Sequence, residues 1–482
     1  MLEERSPEHN PDAAFVRRLG RPLARPVAEV TEKGVPMSPA GKPHVLILGG
    51  GYVGLYTAWG LRKALPAGSV RITVVEPNAY MTYQPLLPEV AGGELGPANV
   101  AVELRRALKG LELFRGRMTG LDVHAKTAML ESITGETSTL SYDHVVIAMG
   151  AVTRTFPTPG LAENAVGFKT LEEAVYVRNQ VLENIAVAAA STDPAERAKA
   201  LTFVFIGAGY TGVEALSELS DLSKIAVDQY SGLNRGDLKW VLVEALDRVA
   251  PEVGPALSVW TLDQLRQRGV DVRLKTTMKS CTDGQVVLSD GDTIAAGTIV
   301  WTAGVKPNPV LGATNVPRGP KGHAKANAYL QVLDDDDVPV PGTWAAGDVA
   351  QVPDLTAAKQ PAYYPPNAQN AVRQAKLLAR NIAAEILGGE PTEYRHKNLG
   401  ALASYGVGRG AAAFFGLELK NRPAWFADRA YHGLAMPTFA GKFRIFSRWI
   451  TGAFIPRDIT PMTTVQHPRE AFLSSVNSDQ KH

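Results

Sequence analysis

Short apolar runs that end in glycine or an acid recur along this chain and set its plan. Residues 45–48, 71–75, 145–148, 203–206, 239–243, 298–301 and 343–346 are runs of this kind, and they read as buried strands of open α/β sheets. A different period follows Pro365-Pro366-Asn367, where Ala371, Ala375, Leu378, Ile382 and Ile386 lie at helical spacing. That pattern predicts a helix capped by Asn367 with one apolar stripe toward the core. Residues 113–140 read as a small β layer, and 329–340 as a hairpin whose acidic tip, Asp334 to Asp337, is a solvated loop rather than a metal site. No apolar stretch approaches the ~18 residues that a membrane-crossing helix needs.

Two of the runs lead into the same glycine pattern. Gly49-Gly50-Gly51-Tyr52-Val53-Gly54 follows the first strand, and Gly207-Ala208-Gly209-Tyr210-Thr211-Gly212 follows the strand at 203–206. A strand that turns tightly through glycines into a helix lets backbone N–H groups approach a pyrophosphate, whose charge the helix start stabilises. The next strand in each case ends in an acid, Glu76 or Glu244, placed for the hydroxyls of an adenosine ribose. Glu76 follows Gly49 by 27 positions and Glu244 follows Gly207 by 37, so the second unit needs an inserted stretch such as 221–237. Two dinucleotides are therefore expected, a resident FAD and an exchangeable NAD(P)H. A third strand end, at Gly347-Asp348, offers another carboxylate where open α/β sheets bind ligands.

Composition narrows the class. The 482 residues leave room for about three domains, and the net charge of +2 gives no global sign of nucleic-acid binding. The single cysteine, Cys281, excludes an internal disulfide and fits a reducing compartment. Residues 1–42, rich in proline and charge, read as a disordered tail, and Met37 is a possible start. The expected order is then a first FAD-binding part at 43–164, an NADH-binding domain at 165–305, a second FAD-binding part at 306–396 and a C-terminal region at 397–482. Gln369 and Arg373 share a polar face that is either solvated or near a redox site. Glu214, in the first turn of the second Gly-loop helix, complements the helix dipole on the simplest account.

Taken together, GGGYVG with Glu76, YQPLLPEVAGG, GAGYTGVE, IVWTAGV, AAGDVA, AQNAVRQ, YRHKNLGALASYG and PAWFADRAYH resemble the type II NADH dehydrogenases, single-subunit flavoenzymes that pass electrons from NADH to quinone. The resemblance runs from about residue 43 to 469. It implies two glutathione-reductase-like Rossmann domains plus a membrane-associating C-terminal region. It assigns Gly49, Gly50, Gly51, Tyr52, Val53, Gly54, Glu76, Pro77, Gln84, Met118, Gly150, Gly347, Asp348, Ala368 and Gln369 to FAD. It assigns Gly207, Gly209, Tyr210, Thr211, Gly212, Glu214, Glu244 and Gly304 to NADH. Glu214, Gln369 and Arg373 would act in catalysis, with Arg373 standing where the family motif AQxxxQ has its second glutamine. A homodimer, held peripherally at the cytoplasmic face of the membrane and using menaquinone or ubiquinone, is also implied.

The C-terminal stretch bears on the acceptor. Between 397 and 457 nine Lys/Arg face two acids, interleaved with Phe414, Phe415, Trp425, Phe426, Phe443, Phe446, Trp449 and Phe454. Basic and aromatic residues mixed in this way suit a surface of anionic lipids, although they could equally pack on the core or on a second subunit. Among alternatives, thiol-dependent reductases are disfavoured by the lone Cys281. A flavoenzyme with a soluble acceptor, or an interaction protein responsive to NADH, remain open.

Overall fold

The computed structural model describes residues 41–397, 400–414, 416–463, 469, 470 and 473. The tail expected over 1–42 thus falls, except for its last two residues, outside the described residues, as does Phe415. The first unit opens with β1 (His44–Leu48), α1 (Tyr52–Ala64) and β2 (Arg71–Glu76). Every residue of β1 is buried, which accounts for its unbroken apolar run beyond His44. A short helix, α2 (Leu87–Ala91), precedes β3 (Glu112–Asp122), β4 (Thr127–Ser132), β5 (Thr137–Ser141) and β6 (His144–Ile147). β3 serves two layers: its start pairs in parallel with β2, and its remainder carries the antiparallel β4 and β5.

The second unit comprises β7 (Ala165–Gly167), α3 (Leu171–Ala190), β8 (Thr202–Ile206), α4 (Tyr210–Val227), β9 (Lys239–Val243), β10 (Val270–Arg273) and β11 (Thr298–Trp301). Its sheet runs β7-β11-β8-β9-β10 with every pair parallel. The extra length before Glu244 is split between helix and loop, since α4 has 18 residues against 13 in α1, and 228–238 forms a long connection. The chain then returns through β12 (Gln331–Leu333) and β13 (Pro339–Ala345), which lies in parallel beside β6. The first sheet therefore reads β12-β13-β6-β1-β2-β3-β4-β5.

The helix α5 (Ala368–Ile386) forms where the apolar spacing places it. Asn367 caps it through a bond accepted from Asn370 N–H, and Ala371, Ala375, Leu378 and Ile382 are buried. A three-stranded antiparallel sheet, β14 (Gly400–Ser404), β15 (Gly410–Phe414) and β16 (Leu417–Lys420), then leads to α6 (Asn421–Ala435) and α7 (Phe439–Gly452). Among the described residues no helix is long and apolar enough to cross a membrane.

α5 reaches the first unit by lying directly on α1. A Cβ added to Gly60 would stand 2.4 Å from the Cβ of Ala379, so glycine is what lets the two helices come this close. Gly60→Leu should therefore lower stability by about 3 kcal/mol through overpacking. Thermal unfolding checks this, and because α5 also lines the first site, flavin content should fall in parallel.

Candidate functional site

The two Gly loops are close copies in space. Gly49 and Gly207 adopt φ of +111° and +107°, in the region that favours glycine. A Cβ on Gly54 would lie 1.8 Å from the Gly49 carbonyl oxygen, and one on Gly212 would lie 2.0 Å from that of Gly207. Neither helix could start so near its strand with any other residue there. Gly51 and Gly209 precede the first helical residues, Tyr52 and Tyr210, in nearly the same extended geometry. The strand-end acids brace the loops: Gly50 N–H donates to Glu76 Oε2 at 2.8 Å, and Ala208 N–H to Glu244 Oε2 at 2.6 Å. Each acid also accepts from the N–H two residues further on, of Asn78 or Leu246. A Cβ on Gly51 would meet nothing within 4 Å, so the first loop leaves open the cradle that a bound phosphate requires.

Asp348 is carried to this cradle by the turn after β13. Gly347, at φ +74°, sits so close to α1 that a Cβ would lie 2.7 Å from Val53 Cγ2. Its N–H donates to Gln374 Oε1 at 2.7 Å, which ties the turn to the first turns of α5. Gln374, fully internal, thus has a role that its sequence position did not reveal. Burial raises the Asp348 pKa, opposed by Lys169, whose Nζ is 3.8 Å from Oδ2, and by His323. Asp348, Gly347, His323, Asn367, Asn370 and Gln374 border a cavity of about 210 Å³ at the start of α5. Gln84 Nε2 donates to the Lys169 carbonyl, so the excursion between β2 and β3, residues 77–111, reaches the same place. Pro77 follows Glu76 directly and accepts from Arg115, and Met118 is buried on β3. Gly150 and Gly304 take positive φ just past the ends of β6 and β11.

Ala368 and Gln369 open α5, and Arg373 lies one turn on, donating to the Gln369 carbonyl at 3.2 Å. His396 Nε2 stands 3.4 Å from Gln369 Oε1, and its pKa is lowered by burial and then by Arg373. Thr211 is in the first turn of the second Gly-loop helix, α4. Glu214 lies deeper in α4, half-buried, and accepts from Ser404 N–H at 2.9 Å. Burial, then the charge of Asp428, pushes its pKa well above the usual carboxyl range. Its carboxyl therefore holds its proton more tightly than one at an exposed helix start would.

Below Glu214 a buried ionic cluster joins three parts of the chain. Glu218 from α4 and Glu94 from the excursion bond Arg457 at 2.8 and 3.1 Å, and Glu94 also bonds Arg429 of α6 at 2.7 Å. Trp449 Nε1 donates to Glu89 Oε2 at 2.7 Å, and Arg448 Nε to the Glu94 carbonyl at 2.9 Å. Several basic and aromatic residues expected at a lipid surface, Arg429, Arg448, Trp449 and Arg457, thus point inward, because the excursion supplies acids and carbonyls for them. The outward face of α6 and α7 is instead Phe426, Leu434, Phe439, Phe443 and Ile450, continued by Phe454.

Burial pushes Glu89 up to about 8 and raises Glu214 and Glu218. The native state therefore keeps on Glu89 a proton that the unfolded chain releases above its ordinary value near 4.5. Stability from Glu89 is full below that value and declines as pH rises toward 8. Glu89→Gln, which cannot ionise yet still accepts from Trp449, should show a smaller drop in Tm between pH 5 and pH 8 than the unaltered protein.

A family model for pyridine nucleotide-disulphide oxidoreductases matches residues 43–375. The chain is 26% identical to a type II NADH:quinone oxidoreductase of Mycobacterium tuberculosis, covering 85% of this chain and 88% of that protein. It is 28% identical to one from Staphylococcus aureus, over 80% of this chain and 94% of the relative. The NDH2 structure of Plasmodium falciparum in complex with NADH superimposes with a TM-score of 0.79 at 18% identity, covering 87% of this chain and 100% of that one. The fold, the paired glycine loops and the shared motifs converge: the chain belongs to the pyridine nucleotide-disulphide oxidoreductase family, within its type II NADH dehydrogenase branch.

Proposed function

We propose that the protein oxidises NADH through a bound FAD and delivers the electrons to a membrane quinone. The observation that carries this reading is the duplicated seat: two strand–Gly-loop–helix–acid units, with a third carboxylate, Asp348, brought against the first of them. No side chain transfers hydride, so FAD supplies the two-electron chemistry when bound. On this account Gly49, Gly51 and Gly54 receive the FAD pyrophosphate and Glu76 its adenosine ribose. Asp348, with Lys169 beside it, holds the ribityl side. The free N–H groups and positive end of α5 border the same cavity and favour negative charge there. Gly207, Gly209 and Gly212 seat the NADH pyrophosphate, and Glu244 its ribose. Glu214, whose carboxyl pKa burial and then Asp428 raise well above the usual range, is placed to supply a proton for reduction of the acceptor. The family name includes disulphide chemistry, but Cys281 is the only cysteine, is buried, and has its thiol pKa raised by burial. Thiolate chemistry is therefore not its route.

The acceptor is argued from the C-terminal region. Phe439 and Phe454 are each 85% exposed, and with Phe426, Leu434, Phe443 and Ile450 they make an apolar face on helices anchored by the buried ionic cluster. Such a face, lying flat in the interface, suits an enzyme whose substrate is dissolved in lipid. We place the protein peripherally on the cytoplasmic side, with Gln369 and Arg373 toward the quinone. A soluble acceptor is the second reading, favoured by Arg373 at the motif's second glutamine.

Anaerobic NADH should bleach the flavin of the purified protein, and a menaquinone or ubiquinone analogue should restore its colour; bleaching without restoration by any quinone would favour the soluble acceptor. NADH should be preferred over NADPH by more than about tenfold in kcat/KM, a difference of about 1.4 kcal/mol. Glu244→Gln, which keeps an acceptor for Ala208 N–H, should narrow that gap.

Phe443→Asp with Ile450→Asp should release the protein from anionic vesicles and slow turnover with a long-tailed quinone, while NADH-dependent flavin bleaching continues. Trp449→Ser, which removes the bond to Glu89, should instead lower Tm. Retention of the double variant on vesicles would assign the apolar face to a subunit contact.

A further inference from the structure

The two Gly loops differ in what stands over them. Above Gly51 the space is open, whereas Oε1 of Glu252 is 3.4 Å from the position a Cβ on Gly209 would take. The same carboxylate faces the backbone N–H of Tyr210, the first residue of α4. Glu252 sits there by construction of the fold. It belongs to the one-turn segment Pro251–Val253, flanked by Ala250 at φ +40° and Gly254 at φ +90°. The segment is fastened to the loop itself, since Ala250 N–H donates to the Ala208 carbonyl at 2.7 Å. The charged neighbour that acts on Glu252 is another acid, Glu244, and its own charge is felt by Tyr210, Glu214 and Tyr405. No cation features among these influences, so an ion pair does not explain its position. What attracts it is the positive start of α4, the feature that would attract a phosphate.

We propose that Glu252 is a built-in competitor for the pyrophosphate seat of the second dinucleotide site. The inference rests on the reading of that site as the one for NADH. The residue is exposed, so its carboxylate can leave as the nucleotide enters and return as it departs. This separates two otherwise matching loops by function. The open first loop keeps its cofactor, while the second must release oxidised nucleotide in every turnover, and a carboxylate waiting beside the seat weakens binding and speeds release.

The test uses the flavin-loaded protein and NAD+, which binds without reducing the flavin. Glu252→Gln and Glu252→Ala should each bind NAD+ about tenfold more tightly by calorimetry, with slower release in stopped flow. Inorganic pyrophosphate should compete with NAD+ more strongly in both variants. Flavin content and Tm equal to those of the unaltered protein would show that the fold is intact. Weaker NAD+ binding in the variants would make Glu252 a contact of the nucleotide and overturn the proposal, as would unchanged affinity. If flavin is bound but neither the unaltered protein nor the variants bind NAD+, the assignment of the second site fails instead.

Discussion

The start of a helix can serve a phosphate only if nothing intervenes between its first N–H groups and the end of the preceding strand. In this protein that separation is set by the contact of Gly54 with the Gly49 carbonyl, and of Gly212 with that of Gly207, where any side chain would overlap backbone. The remaining parts follow from this approach. Glu76 and Glu244 hold the second loop residue by its N–H, and the Gly347 turn reaches the first loop only because it too lacks a side chain against Val53. A methyl group at Gly54, Gly212 or Gly347 would push apart the elements that make the site.

The second constraint is electrostatic. Arg429 and Arg457 bring charge into the interior and are matched by Glu94 and Glu218 with short bonds. Such a cluster adds little net stability compared with an apolar core, but losing one partner leaves a buried charge without compensation. Its effect here is to fix where the C-terminal helices sit, since the partners come from the excursion, from α4 and from the C-terminal region. That fixed seat turns the apolar residues of α6 and α7 outward together. It also surrounds Glu214 with acids, Asp428 and Glu218, which help keep its proton on.

The departures from the family pattern gain physical meaning in this setting. Arg373 keeps its guanidinium near the Gln369 carbonyl and lowers the pKa of His396, so the polar face of α5 is more positive than a second glutamine would make it. Gln374, one residue on, leaves that face and holds the Gly347 N–H, in keeping with the rotation of about 100° per residue along a helix.

What the sequence determined by itself was everything governed by neighbours along the chain. The strand–glycine–helix units, the acids ending the next strands, the α5 stripe and the return of the chain to its first sheet depend on local period and turn chemistry, and these are written in consecutive residues. The tertiary structure decided what depends on residues far apart. Trp449 and Arg448 looked like lipid-facing groups until Glu89 and Glu94, some 350 positions away, were brought beneath them. Lys169 and Glu252 carry no motif and Gln374 stands one position past the motif's second glutamine, and each acquires its place only when a turn from another segment is laid against a Gly loop or the Asp348 turn. Glu214 looked like a charge at a helix start, yet its place beneath the C-terminal sheet raises its carboxyl pKa, because desolvation is a property of the assembled core and not of any stretch of sequence.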